Sequence, residues 1–566
     1  MVELALYGYE AFLTKLPGTT RKLFKIGIII DNQAITRWQE DCLRTLKRDN
    51  QFVIYNCTNT RPPRRRLGHA FYYLLNLFTI RNRMTRRTAL PEQLDIATVR
   101  NFEAGGFPPW QDLPEDLLDS IRSDAPSVIV KFGMGLLRVP PPDRLAAPIL
   151  SYHHGDPVRF RGRPAGFYEL LHGERTVGQV IQILGNTLDS GACVAAAETR
   201  AIRHSYRATL VESYRHSPLL LKRGIANAIA GAAVQPSARG RNYRLPDNWT
   251  VVKFVAARLA ALVKHLIYGA FYEKDWNVAT APSRPRSELP IPAPAEPESW
   301  GLIARPSGYR FIADPFPHPG GDGVLVEALR ASTGLGEILH IGSAGQALVC
   351  RDVGHFSYPA PFRFEGADYL LPEVSEWSGP RLYRFDGKSL QPAGELVVAG
   401  SPRLIDPTLF GVEDTIYLFA NDASEGSSVL RLWTSASLFS KFDEHPASPI
   451  RISPSGSRMA GAIVERGPLY RIGQDSRGQY GDGIVLFEIE RLTPTEYRET
   501  EVGQLRFADC RGPHTLNLAG DRAWFDYYED RFSLLAGIRR VRSRLVKRPT
   551  ADRIYTGPNI RSEPRN

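Results

Sequence analysis

The chain has 566 residues, 43% of them hydrophobic and 23% charged, with a net charge of +11. That balance excludes global disorder, and the length calls for two or three domains. Five scattered cysteines with no paired spacing exclude a disulfide framework and fit a reducing, cytoplasmic setting.

Residues 1–23 read as an N-terminal arm. They lack the charged-then-apolar pattern of a secretory signal, and no later run reaches the roughly 18 apolar residues of a spanning helix. An α/β domain is expected over 24–235. KIGIII at 25–30 reads as a buried strand, Thr36 to Leu46 as a helix, and FVIYNC at 52–57 as a second strand. Strand, helix, strand at this spacing predicts a parallel sheet. EDLLDSIRS followed by SVIVKFG adds another helix and strand, and PILSYHHG from Pro148 a strand that runs into a polar loop.

A basic segment, 61–88, interrupts this pattern. Its apolar centre, AFYYLLNLF, lies between Arg61, Arg64, Arg65 and Arg66 on one side and Arg81, Arg83, Arg86 and Arg87 on the other. It reads as a short helix, either buried or lying at an anionic membrane interface. Residues 249–273 also read as a helix, with Val251, Val255, Leu259, Leu262 and Leu266 at intervals of three or four. That stripe either packs on its own protein or joins the first helix in peripheral contact with anionic lipid. Together with Pro-rich 280–298, read as an extended linker, it makes up a connecting region over 236–298.

From 299 to 550 short apolar runs alternate with Gly, Asp and Pro turns, as in EILHIG, RLYRF, TIYLFAN and GIVLFEI. This predicts an all-β domain, sandwich or propeller. A third basic cluster runs from Arg539 to Arg548, and 551–566 form a tail. Basic clusters favour anionic partners or are solvated surface.

The densest pattern lies at 151–191. Ser151-Tyr152-His153, Arg161-Gly162, Gly173-Glu174, Val177-Gly178 and Leu188-Asp189-Ser190-Gly191 resemble the formyltransferase signature. That family includes methionyl-tRNA, glycinamide ribonucleotide and amino-sugar N-formyltransferases. The 36 residues from His153 to Asp189 match the family's spacing. The resemblance covers about 24–200 and implies a Rossmann-like fold with 10-formyltetrahydrofolate as donor. His153 and Asp189 would be catalytic, Ser151 would stand where the family has Asn, and Arg161 and Gly162 would bind substrate. The chemistry needs these types: a donor steadies the developing oxyanion, and a carboxylate fixes the imidazole and takes the amine proton. A loop, Gly155-Asp156-Pro157-Val158, replaces the family's own; His154 and Asp156 in it either recruit different chemistry or brace a tight turn.

Residues 309–490 resemble the five-bladed propeller of glycoside hydrolases related to β-xylosidases and arabinanases. They are more similar still to the domain of plant glucosamine inositolphosphorylceramide transferases. Phe311-Ile312-Ala313-Asp314-Pro315, Leu371-Pro372-Glu373, Ile405-Asp406-Pro407 and Ser457-Arg458-Met459 carry the likeness. Asp314, Glu373, Asp406 and Arg458 are the expected sugar-binding groups. The three carboxylates would also suit a hydrolase, and Asp-Pro pairs equally open turns. Arg458, Arg471 and His514 are candidates to meet a phosphate or carboxylate, with Arg458 equally able to stack or pair internally. No metal site is expected. The combined expectation is formyl transfer to an amino group of a sugar or glycolipid precursor, with the propeller holding the glycan. The alternatives are a retired glycan-binding module and a propeller-centred glycosidase or glycosyltransferase. Nucleic acid is not an expected partner, since the second half does not resemble an RNA-binding barrel.

Overall fold

The structure is a computed structural model that describes residues 24–545, apart from 48–49, 60–65, 107–108, 188, 190, 235–239, 351–353, 375 and 378. Both terminal segments, Arg61, Arg64 and Arg65, and the end of the third basic cluster lie outside the described residues.

The first strand, β1 (Phe24–Asp31), is buried along its centre, as expected for a strand covered on both faces. Thr36 caps α1 (Arg37–Leu46) in a capping box with Gln39. The chain then runs through β2 (Asn50–Cys57), α2 (Ala70–Phe78), β3 (Ile96–Phe102), α3 (Glu115–Asp124), β4 (Val128–Lys131) and β5 (Ile149–His153). A short helix, α4 (Phe167–Leu171), precedes β6 (Thr176–Ile183), β7 (Ala192–Arg200) and the long α5 (Tyr206–Ile229). The sheet order is β7-β6-β5-β4-β1-β2-β3. Strands β1 to β5 pair in parallel, whereas β6 runs antiparallel to both β5 and β7. The order reverses between β1 and β4, and ligands of such sheets bind beyond the carboxyl ends of the strands, where His153 stands.

Helix α6 (Asn248–Phe271) leads without a break into β8 (Tyr272–Arg284). The expected extended linker is therefore corrected. Residues 272–284 are a strand of the β-rich domain, in register with β14 (Arg522–Phe532) from Tyr272 opposite Phe532 to Pro282 opposite Arg522. Thirteen residues read as linker or helix end thus close a ring with the last strand among the described residues.

That ring is a five-bladed propeller, not a sandwich. Four blades span 309–350, 357–395, 404–444 and 455–505, and the fifth is built from β8, β14 and the short β13 (Leu516–Ala519). The first strands of the four consecutive blades are β9 (Tyr309–Pro317), β10 (Ser357–Phe364), β11 (Leu404–Val412) and β12 (Ser455–Met459). Each breaks register, at Ala313/Phe316, Ser357/Ala360, Ile405/Thr408 and Ser455/Arg458, and β9 breaks a second time at Tyr309/Ile312. At each of the first four breaks a residue, Asp314, Tyr358, Asp406 or Gly456, has positive φ. The Asp-Pro pairs are therefore bulges inside strands and not the openings of turns. A bulge accommodates proline, which has no ladder N–H to give, and re-aims its neighbour.

The two domains share a core. Val429 and Ile452 of the propeller belong to one apolar cluster with Ile181, Val194, Leu221 and Ile225 of the α/β domain. Across the same seam Ser453 Oγ donates to Glu198 at 2.8 Å, and Arg223 donates to the Pro449 carbonyl.

Candidate functional site

β5 carries Ser151 and His153 on one face, because side chains two apart in a strand point the same way. The backbone of Ser151 lies between Lys131 of β4 and Gln182 of β6. Thirty-six residues after His153, Asp189 has φ of 49° in the loop that joins β6 to β7. That loop brings Asp189 Oδ1 to 3.4 Å from His153 Nδ1, while Oδ2 accepts the Gly162 N–H at 2.7 Å. Leu188 and Ser190, the flanking motif residues, lie outside the described residues.

Burial works against charge on His153, but the facing carboxylate outweighs it and the net pKa direction is upward. Burial would likewise raise Asp189, and the imidazole outweighs that, so its carboxyl sits below the usual range. The pair is thus a carboxylate that holds an imidazole ready to be charged. The other ring nitrogen, Nε2, is 3.1 Å from the Phe160 carbonyl. Gly155 keeps the space beside it open, since a Cβ there would stand 2.8 Å from Nε2. The surrounding cleft also includes Arg161, Tyr168, Glu169 and Tyr243. Burial lifts the Glu169 carboxyl to about 7. Tyr168 and Tyr243 stack at 4.1 Å between ring centres. Glu169 and the tyrosines carry no motif, and only the fold brings them here.

His154 and Asp156 have structural roles. Burial drives the His154 ring down to about 3, so it stays neutral, stacked on Tyr152. Asp156 accepts the Val158 N–H at 2.9 Å, which ties the tight loop.

The second constellation lies on the propeller axis, where the bulges aim their residues. Asp406 accepts Gln474 Nε2 at 2.9 Å and both Nε and Nη2 of Arg458. Glu373 accepts the Asp406 N–H at 3.0 Å and faces Arg458 at 3.5 Å. Burial, then the Asp406 charge, push the Glu373 carboxyl well above the usual range. Asp314 accepts from Thr515 Oγ1 at 2.7 Å and lies 3.3 Å from His514 Nδ1. Burial lifts it to about 7, against the pull of His514. Tyr480 joins the two groups, with Arg458 over its ring at 5.0 Å and its hydroxyl on His514 Nε2.

Asp314, His514 and Asp526 offer atoms within 4.8 Å of one another, close enough to hold a cation. The Asp526 carboxylate, however, already accepts from His514 N, Thr515 N, Asp314 N and His514 Nδ1, which uses its four lone pairs. The sequence reading missed Asp526, because nothing around it marks the inner face of the closing blade. Arg471 is corrected as a candidate for an anionic ligand: it is fully buried, forked onto Glu499 at 2.6 and 2.7 Å, and bonded to the Gly456 carbonyl.

Residues 306–522 match the family model of the N-terminal part of glucosamine inositolphosphorylceramide transferase 1. The relative of that name from Oryza sativa subsp. japonica is 35% identical over 213 residues, 34% of this chain and 28% of the relative. The Arabidopsis thaliana relative is 30% identical over 223 residues, 37% of this chain and 29% of the relative. The chain thus spans between a quarter and a third of the length of these relatives, and the match falls on the propeller. Solved structures similar in part include glycinamide ribonucleotide transformylase 1 from Symbiobacterium toebii. It is 16% identical, covers 41% of this chain and 99% of that one, and has a TM-score of 0.25. A formyltetrahydrofolate deformylase from Pseudomonas putida KT2440 is 14% identical, covers 38% and 68%, and also scores 0.25. The α/β fold described above rests on its strand order, not on these two likenesses.

Proposed function

We propose that the chain transfers a formyl group to an amino group of a sugar or glycolipid precursor, with the propeller binding the glycan. The observation that carries this reading is the 3.4 Å approach of His153 Nδ1 to Asp189 Oδ1 at the carboxyl end of the sheet. The residues fit a formyl donor: Asp189 favours charge on the imidazole from one side, and Gly155 leaves the other side free of a Cβ. 10-Formyltetrahydrofolate, the donor this reading requires, would supply the activated formyl carbon. His153 Nε2–H, turned from the Phe160 carbonyl, would hold the formyl oxygen as negative charge develops there. Asp189 would keep the imidazole charged and relay the proton that the amine releases, directly or through water, to the donor nitrogen whose bond to the formyl carbon breaks, so that tetrahydrofolate leaves as the new amide forms. Arg161 and Gly162 line the same cleft and are the proposed substrate contacts. Ser151, in place of the family's amide, offers a shorter hydroxyl. The five free thiols support a reducing compartment, and the proposal sets the chain in the cytoplasm.

The propeller's part in this reading is supported by its matched relatives, which are named glucosamine inositolphosphorylceramide transferase 1. A glycolipid head group or a related glycan is the ligand proposed for the axis around Asp314, Glu373, Asp406 and Arg458. Hydrolysis or glycosyl transfer is disfavoured there, because Asp406 and Glu373 are buried and already engaged by Arg458, Gln474 and each other; Arg458, whose side chain is the most exposed of the four, is the proposed point of contact with the ligand.

A folate analogue tests the first domain. A ligand that binds only the folded state, at about a hundred times its Kd, adds about 2.7 kcal/mol. A clear rise in the melting temperature of the chain, lost in Asp189→Ala, supports the proposal. An unchanged melting curve favours a glycan-binding module with a retired site.

A further inference from the structure

Three helices far apart in sequence share one side of the molecule. The first turn of α2 meets the start of α6, where the Phe71 N–H donates to Asn248 Oδ1 at 3.0 Å and Asn248 Nδ2 to the Leu67 carbonyl at 3.1 Å. Helix α7 (Ala536–Leu545) meets the other end of α6, where Arg540 reaches the carbonyls of Tyr268, Gly269 and Tyr272. With 24 residues, α6 is about 36 Å long and sets the length of this face.

Of the residues of α6, only Val251 and Phe254 are buried, against Phe167 and Tyr206 near α4 and α5. The opposite stripe holds Trp249, Val252, Leu259, Val263, Leu266 and Ile267, between 40% and 65% exposed. At 100° per residue these fall on one side of the helix. Phe71, Leu74 and Phe78 of α2 extend the apolar surface at one end, and Leu535, Ile538 and Val541 at the other. Single exposed leucines are ordinary, but an apolar run over three adjoining helices marks an interaction surface.

Charge decides the partner. No Asp or Glu occurs in α2, α6 or α7. Lys253 and Lys264 flank the stripe on α6, Arg539 and Arg542 are exposed on α7, and Arg81, Arg83, Arg86 and Arg87 are exposed just after α2. The acids at the helix ends are engaged: Asp247 caps α6, Glu273 pairs with Arg539 at 2.7 Å, and Asp530 accepts the Tyr268 hydroxyl at 2.5 Å. A second copy of the same face would oppose like charges. Apolar side chains ringed by Lys and Arg match an anionic bilayer, where the chains enter the acyl boundary and the cations meet phosphate. No helix among the described residues is long and apolar enough to cross a membrane.

We propose that α2, α6 and α7 form a docking surface for an anionic phospholipid bilayer, with α6 lying in the plane of the interface. The sequence offered two of these segments together as a peripheral contact with anionic lipid. The fold adds the third and sets all three along one face.

Flotation of the full chain with phosphatidylcholine–phosphatidylserine vesicles, and with phosphatidylcholine alone, tests this. Binding to the mixed vesicles at low salt is expected, falling as salt rises, with a blue shift of tryptophan emission that Trp249→Phe removes. The double variant Leu259→Glu, Leu266→Glu changes exposed residues only and should keep the circular dichroism of the parent. It is expected to weaken binding roughly a hundredfold, the effect of losing two buried leucines. No flotation at low salt overturns the proposal, as does equal binding by the variant. Sedimentation as a dimer that the same variant dissociates would overturn it in favour of a second copy.

Discussion

At the scale of the residue, the chemistry of both domains depends on how a few buried ionisable groups are partnered. His153→Ala removes the proposed oxyanion donor, and transfer should fall by roughly 10²–10³ in a direct assay of formylated product, with melting little changed. Asp189→Asn should come close to this, because the imidazole loses the carboxylate that raises its pKa. Ser151→Asn should be tolerated or raise the rate; a loss like that of His153→Ala would contradict the role given to Ser151. On the propeller axis the sign of a pH effect follows from three raised groups, Asp314 at about 7, Glu373 well above its usual range and His514 above its usual value. A raised pKa contributes stability that is full below the unfolded value and is lost as pH climbs through the folded one. The propeller should therefore melt at lower temperature at about pH 8 than at about pH 6, and Asp314→Asn should flatten this slope. A slope unchanged in that variant would show that Asp314 does not titrate there.

At the scale of the element, the bulges and the closing strand bear most of the weight. Gly456 has φ of 76°, and a Cβ there would stand 2.3 Å from the Phe487 ring. Gly456→Ala should destabilise the propeller by about 2–4 kcal/mol in urea unfolding, through backbone strain and overpacking. A chain cut to begin at residue 299 lacks β8 and leaves the edge of β14 unpaired, so it should aggregate, whereas one beginning at 248 should be better behaved. Equal behaviour of the two would contradict closure by β8. The elements of the α/β sheet were legible because its buried strands are continuous apolar runs and Thr36 with Gln39 marks a helix start. The closing strand was not: proline at 282 and the proline-rich stretch after it read as linker, and pairing with a partner some 250 residues away leaves no local trace. The Asp-Pro pairs were visible, but whether they open a turn or bulge a strand is decided by the neighbouring strand.

At the scale of the whole molecule, two domains meet through a shared apolar cluster and the Ser453–Glu198 and Arg223–Pro449 contacts. The pairing of His153 with Asp189 was legible, because a set of motif residues in register constrains more than any one of them. The inward packing of Arg471 was not, since a buried guanidinium and an exposed one read alike in sequence. The exposed side of α6 was half legible: its spacing marked a stripe, but only the fold determines that Leu259 and Leu266 face out while Val251 and Phe254 face in. The central claim, formyl transfer at His153 and Asp189, is tested most directly by mass spectrometry. Amino-sugar nucleotides would be incubated with 10-formyltetrahydrofolate and either the parent chain or His153→Ala. A product heavier by the mass of CO is expected with the parent and almost none with the variant. No such product with the parent, or equal product from both, would contradict it.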